Sequence, residues 1–251
     1  MALIDNIQGY WKLDEASGNA ADSTANANTL TNNATVTYGA GKINNAATFV
    51  SASSQYFSRT DAAQVGLDLT GDHSLAFWFK LTSWASGDNF YVAVKWATDD
   101  ANFTYAISNP AGVSRINANL YNNANPANNH PYAKNAASAF STATWYHAVF
   151  TYNLTTETMT FYINGSSLGT VQDLTQDTLH NSTGAFELGG SGVLASYSDM
   201  SLDEVGIWNR ELTSGEVTSL YNGGAGLSYP FTIATTTSSS TSTSTSSSTS
   251  T

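Results

Sequence analysis

Apolar and polar positions alternate with period two through most of the chain. In DHSLAFWFKLT, Leu75, Phe77 and Phe79 fall on one side and Ala76, Trp78 and Lys80 on the other, as in a strand with two distinct faces. TWYHAVFTYN sets Trp145, His147, Val149 and Thr151 against Tyr146, Ala148, Phe150 and Tyr152. ETMTFYING gathers Met159, Phe161 and Ile163 before Asn164-Gly165, a dipeptide that favours a tight hairpin turn. These last two segments are expected to pair antiparallel around the loop NLTTET. Further strands are expected at GYWKL, AATFV, QYFSR, YVAVKW, FTYAIS, RINANLY, AFELGG and across 202–208. One helix interrupts the pattern. Thr213 and Glu216 have capping-box spacing, Val217, Leu220 and Tyr221 form an i, i+3, i+4 stripe, and Asn222-Gly223 can end it. Many short strands with one short C-terminal helix predict an all-β fold, a two-sheet antiparallel jelly-roll sandwich.

The run SLDEVGIWNREL raises a chemical question. Strict alternation places Asp203 on the face of Val205 and Ile207, with Glu204 pointing the other way. A carboxylate among core residues needs a partner or takes up a proton.

Composition narrows the function. At 251 residues the chain can build one large β domain with a full core. Its net charge of −11, with eight Lys and Arg against nineteen acids, leaves no basic stripe to neutralise phosphates, which argues against nucleic acid as a partner. With 11% charged residues, the surface must be covered by Asn, Thr, Ser, Gly and Ala. Without cysteine, disulfides, thiolate metal sites and cysteine catalysis drop out. No apolar run reaches membrane-spanning length, and Asp5 and Asn6 break the start too early for a secretory signal. From Thr235 to Thr251 every residue is Ser or Thr, so residues 1–233 are expected to be the folded domain and 234–251 a linker or stalk. Sequons at Asn33, Asn102, Asn153, Asn164 and Asn181 are read as a product of a chain rich in Asn, Ser and Thr.

GYWKLDEASGN, ADSTANANTLTNN, GKINNAATF, HSLAFWFKL, WYHAVFTYN, FYINGSSLG and LDEVGIWNRELTSGEVTSLYN occur in an order that resembles the laminin G-like, concanavalin A-like jelly-roll domains. The resemblance covers residues 8 to about 222 and implies a sandwich of two curved antiparallel sheets. It also pairs the first polar loop with the Asp of the last strand. Asp22, Asn26 and Asn28 in that loop, together with Asp203, are therefore expected to form one structural Ca²⁺ site, since calcium takes six to eight hard oxygen ligands. The competing reading is that Asp203 accepts backbone amides and the asparagines make turns.

The fold family includes lectins, glycanases, adhesion modules and virion proteins. Catalysis is disfavoured. The related glucanases carry their carboxylates on an E-x-D-x-x-E strand that this chain lacks, and no HExxH or G-x-S-x-G motif occurs. Binding fits better. Sugars offer apolar C–H faces and many hydroxyls, which an aromatic platform with amide and carboxylate neighbours can hold. The middle of the chain interleaves Trp84, Tyr91, Trp96, Tyr105, Tyr121 and Tyr132 with Asp88, Asn89, Asp99, Asn102, Asn119, Asn122 and Asn129. Trp84 and Tyr132, surrounded by turn residues, with Asp88 and Asn129, are the expected glycan site. Trp11, Trp78, Trp145 and Trp208 are assigned to packing. The expectation is a noncatalytic glycan-binding or adhesion module on a virion or cell surface, whose partner is a cell-surface or extracellular polysaccharide. A self-assembling decoration protein of a phage virion or filament, and a diverged glycanase, are the alternatives. The start at Met1 without an export signal favours the virion.

Overall fold

The computed structural model describes residues 1–83, 90–97, 103–109, 116–120, 132–133, 140–172 and 179–232. In chain order the strands begin with β1 (Ile7–Trp11), β2 (Thr31–Asn33), β3 (Thr37–Ala40), β4 (Asn45–Phe49), β5 (Tyr56–Arg59) and β6 (His73–Leu81). They continue through β7 (Phe90–Trp96), β8 (Phe103–Asn109), β9 (Asn117–Leu120), β10 (Tyr132–Ala133), β11 (Trp145–Asn153) and β12 (Thr158–Ile163). β13 (Ser166–Gln172), β14 (Ala185–Leu188), β15 (Gly190–Ser191), β16 (Ser196–Tyr197) and β17 (Met200–Trp208) complete the set before helix α1 (Ser214–Tyr221).

Two antiparallel sheets face each other. The first runs β13-β12-β11-β6-β17-β4-β3, with β1 also on β17, and the second runs β10-β9-β8-β7-β14-β5-β2. The expected hairpin is present: β11 and β12 pair from Ala148 opposite Ile163 to Asn153 opposite Thr158. Asn164 and Gly165 turn β12 into β13 with φ of 51° and 78°, the left-handed pair that a type I′ turn needs.

Alternation sets the core. Leu75, Phe77 and Phe79 from β6, Ala148, Phe150 and Tyr152 from β11, and Met159 and Phe161 from β12 point inward, as the sequence pattern requires. Trp11 of the first sheet stacks on Phe186 of the second with ring centroids 5.3 Å apart, closing the interior between the layers. The outer face of the first sheet is also buried. There Tyr10, Ala76, Val149 and Trp208 are covered by Leu212, Val217 and Leu220, with Tyr229 and Phe231 packed beside them. The helix forms where its cap predicts. The Glu216 amide donates to Thr213 Oγ1, the Thr213 amide donates back to Glu216, and Asn222 ends the helix at φ 49°.

Three tryptophans assigned to packing, Trp11, Trp78 and Trp208, are buried at 2% exposure or less. Trp145 departs from that assignment. It is half-buried at the start of β11, where Lys80 Nζ lies 4.9 Å over its ring. The strands β2 and β3 escaped the sequence pattern, because three or four residues of Thr, Asn, Tyr, Gly and Ala carry no apolar alternation.

Candidate functional site

The acid pair of β17 sits at a change of partner. One edge of β17 pairs with β6 along its length. The other edge pairs with β4 at Met200–Leu202 and with β1 at Val205–Trp208, leaving Asp203 and Glu204 between the two. The ladder slips here, two residues of β17 opposing one of β6, and Glu204 adopts φ 49°. This bulge corrects the expected alternation. Met200 and Leu202 face the interior before it and Val205 and Ile207 after it, so Asp203 does not share their face. It lies opposite Trp78, on the outer side.

Asp203 is nevertheless fully buried, because the chain between β3 and β4 folds over it. The amides of Lys42 and Ile43 donate to its Oδ2 at 2.7 and 2.9 Å, in place of the ladder that β17 loses there. A Cβ on Gly41 would collide with the Asn45 carbonyl oxygen and stand 2.7 Å from Asp203 Oδ2, so only glycine fits where that loop opens. Glu204, 4% exposed, accepts from the Tyr10 hydroxyl at 2.6 Å. Asp203 Oδ1 and Glu204 Oε1 are buried without a hydrogen bond. Burial pushes the Asp203 carboxyl up to about 8, helped by the Glu204 charge and opposed by the two amides. Burial likewise raises Glu204 to about 7, against the pull of the Tyr10 and Ser228 hydroxyls. Both protonatable groups are closed off from solvent.

The four residues expected to bind calcium do not gather round one point. Asp22 bridges to Trp11 on the edge of β1 away from β17. It is therefore separated from β17 by a whole strand, roughly 10 Å at two inter-strand spacings, whereas calcium ligands share one ion at about 2.4 Å. Its carboxylate is filled from within: Oδ1 accepts from the amides of Tyr10 and Thr24, and Oδ2 from the Thr24 hydroxyl and the Asn28 amide. Asn28, fully buried, donates to the carbonyls of Gln8 and Val65 and accepts from the Val65 amide. Asn26 donates to Gln8 O at 2.9 Å. Among the described residues no group of three or more His, Asp or Glu side chains could hold a metal. The donor set does not fit one cation, and the turn-making alternative describes the loop. Asp22→Ala is accordingly expected to cost about 2 kcal/mol in urea denaturation, the value of hydrogen bonds to a charged acceptor. The loss should be equal in calcium chloride and in EGTA, and a loss confined to calcium would reinstate the ion.

Of the expected glycan residues, Trp84, Asp88 and Asn129 lie outside the described residues, as do Tyr121 and Asn122. Tyr132 is placed by its backbone alone, in β10 opposite Asn119. Tyr105 is fully buried, Tyr91 is 9% exposed, and both pack within the second sheet. Lys95, also fully buried, reaches Asp61 at 2.5 Å, Asp68 at 3.1 Å and Gly184 O at 2.8 Å, pinning the 61–68 loop to that sheet.

A cleft missed by the sequence reading opens elsewhere. β2 is the last strand of the second sheet and β3 the last of the first, and 34–36 carry the chain from one to the other. Between these two edges and the 16–19 loop lies an open cleft of about 540 Å³, within the range of small-ligand pockets. Asn32 holds its walls together: Nδ2 donates to Gly18 O and Val36 O, and Oδ1 accepts from the Val36 amide. Tyr38, half-buried, packs its ring near Phe57 and donates its hydroxyl to Gly18 O at 3.0 Å. The one signal in the sequence was the short stretch TVTYGAG, with an aromatic among Thr and Gly.

A closed two-sheet antiparallel sandwich with edge strands brought together and one capping helix is a concanavalin A-like jelly roll. The chain belongs to the concanavalin A-like lectin/glucanase superfamily, whose laminin G family model matches residues 51–218. Among curated proteins none matches the chain. Among solved structures it is similar to the binding domain of botulinum neurotoxin serotype D, at TM-score 0.68 and 13% identity over 87% of this chain and 52% of that one. The binding domain of botulinum neurotoxin DC in complex with SialylT gives TM-score 0.67 and 14% identity over 87% and 51%. The binding domain of Paraclostridial Mosquitocidal Protein 1 gives TM-score 0.67 and 16% identity over 88% and 52%. The chain thus spans about half the length of these structures, and at such identities the likeness is one of fold. No described helix is long and apolar enough to cross a membrane.

Proposed function

We propose that this domain is a noncatalytic glycan-binding module, presented on a cell or virion surface through its Ser/Thr-rich C-terminal segment. The observation that carries the reading is the match of 87% of the chain to toxin binding domains, one of them in complex with SialylT. The surface chemistry agrees, being rich in Asn, Thr and Ser and poor in charge. A noncatalytic role is favoured because the adjacent acids Asp203 and Glu204 are 0% and 4% exposed, whereas glycoside hydrolysis needs two carboxyl groups that flank a bound sugar. The test is a glycan array probed with the full chain, paired with a reducing-end assay on every polysaccharide retained. Retention without release of reducing ends is the expected result. Release would move the protein to the glycanases, and ordered self-assembly with no glycan retained would favour a decoration protein.

A further inference from the structure

We infer that the cleft between β2 and β3 is the saccharide site and that it takes a neutral oligosaccharide; the inference rests on the glycan-binding reading above. Three features carry it.

The cleft is built in advance. Each wall is tied to the other by Asn32 and Tyr38, and the Asn32 amide donates to Asn19 Oδ1 at 3.0 Å, so the 16–19 loop cannot swing away without breaking several bonds at once. A site whose walls are already fixed loses little freedom when it binds.

The chemistry left over after this bracing suits a sugar. The hydroxyls of the exposed Ser17, Thr35 and Thr37 make no hydrogen bond within the described chain. Thr37 and Tyr38 lie on the outer edge of β3, which has no strand beyond it among the described residues, so backbone groups also face outward there. Tyr38 supplies an aromatic surface for the C–H side of a pyranose, while its own hydroxyl is engaged with Gly18.

Charge then selects among sugars. No Lys, Arg or His lines the cleft. Glu15 stands behind the 16–19 loop, its Oε1 held by the Ala21 amide at 2.8 Å; burial, with the Glu15 charge adding to it, raises the Tyr38 hydroxyl above the ordinary tyrosine range. On a protein of net charge −11, a sialylated or uronate-bearing glycan would meet repulsion and no paired cation here. An extended peptide adding to β3 is the competing occupant, disfavoured because the edge is only four residues long.

The experiment measures binding of the full chain to immobilised neutral gluco-, galacto- and manno-oligosaccharides, to chito-oligosaccharides and to sialyllactose. Ser17→Trp and Thr37→Trp fill the cleft from exposed positions, and Tyr38→Phe keeps the aromatic surface. At least one neutral oligosaccharide is expected to bind. Its affinity should fall tenfold or more in each tryptophan variant at unchanged melting temperature, and change less than about threefold in Tyr38→Phe. Equal binding by the filled variants, or preference for sialyllactose, overturns the inference while the glycan-binding reading stands. Retention of no glycan of either class by the unaltered chain overturns both. Unchanged neutral-sugar binding in both tryptophan variants, together with binding of an unrelated extended peptide that Thr37→Trp abolishes, would assign the edge to peptides and overturn it as well.

Discussion

At pH 5, replacing Asp203 with alanine is expected to lower the unfolding free energy by about 2–5 kcal/mol. The methyl group leaves the Lys42 and Ile43 amides buried without an acceptor, at about 1–3 kcal/mol for each orphaned donor, and opens a void beside Trp78. One term opposes this. The native state holds a proton on Asp203 that the unfolded chain releases near pH 4, so the wild type itself is penalised by about 1.4 kcal/mol for each pH unit above that. The penalty is about 1.4 kcal/mol at pH 5 and grows above it, so the cost of the alanine variant should shrink as pH rises. Asparagine separates the two contributions. It keeps an oxygen for both amides and carries no proton to lose, so Asp203→Asn should recover most of the loss. The measurement is urea denaturation at pH 5 and pH 7.5. A loss for Asp203→Ala below about 0.5 kcal/mol at pH 5 would mean that the loop between β3 and β4 does not depend on this carboxyl.

The position of that carboxyl also marks the limit of what alternation can tell. On β6, β11 and β12 the inward faces were legible, since Leu75, Phe77, Phe79, Phe150 and Phe161 recur with period two and only one side meets the opposite sheet. The helix was legible because Thr213 and Glu216 satisfy orphan amides of the first turn whatever lies around them. On β17 all nine residues are buried, four against the other sheet and the rest under the helix, the C-terminal segment and the 41–43 loop. A bulge shifts the phase by one residue without changing which residue types are buried, so it left no trace in MSLDEVGIW. The chemistry of Asp203 was foreseen more closely than its direction: a buried carboxyl needed compensation, and backbone amides supply it. The first polar loop was ambiguous for a related reason. Asp and Asn oxygens serve amide hydrogens and cations equally well, and only the intervening strand β1 decides between them. The β2–β3 cleft was hidden because it is made by two sheet edges meeting, a property of strand order that local pattern does not contain.

The pH dependence of stability should follow mainly from four buried groups that oppose one another in pairs, with Glu187, whose carboxyl burial also raises, adding to the acids. Asp203 and Glu204 hold protons in the folded state up to about 8 and about 7, well above their ordinary values. Their contribution is fully present below about pH 4 and is lost as pH rises through the folded values, because the unfolded chain binds fewer protons over that interval. The histidines act the other way. Burial lowers His73 to about 4, despite the Gly71 carbonyl, and His147 to about 3. His147 lies beneath Trp78 and Tyr221, its ring 5.0 Å from the first, where an imidazolium would be poorly solvated. Their stabilisation is present above about pH 6.5 and lost as pH falls toward 3. Between about pH 4.5 and 6.5 the two pairs nearly cancel, giving a plateau. Above it the acids act nearly alone, and stability should decline by about 2 kcal/mol per pH unit near pH 7, where Asp203 still holds its proton and Glu204 about half of one, before levelling off beyond pH 8. Asp203→Asn should cut that alkaline slope by more than half and turn the plateau into a rise of about 1.4 kcal/mol per pH unit, whereas His147→Gln should weaken the acid limb and turn the plateau into a fall of about the same size. Urea midpoints from pH 3 to 9 for the three proteins test this, and an alkaline slope equal in the wild type and Asp203→Asn would place the titrating groups elsewhere than the bulge of β17.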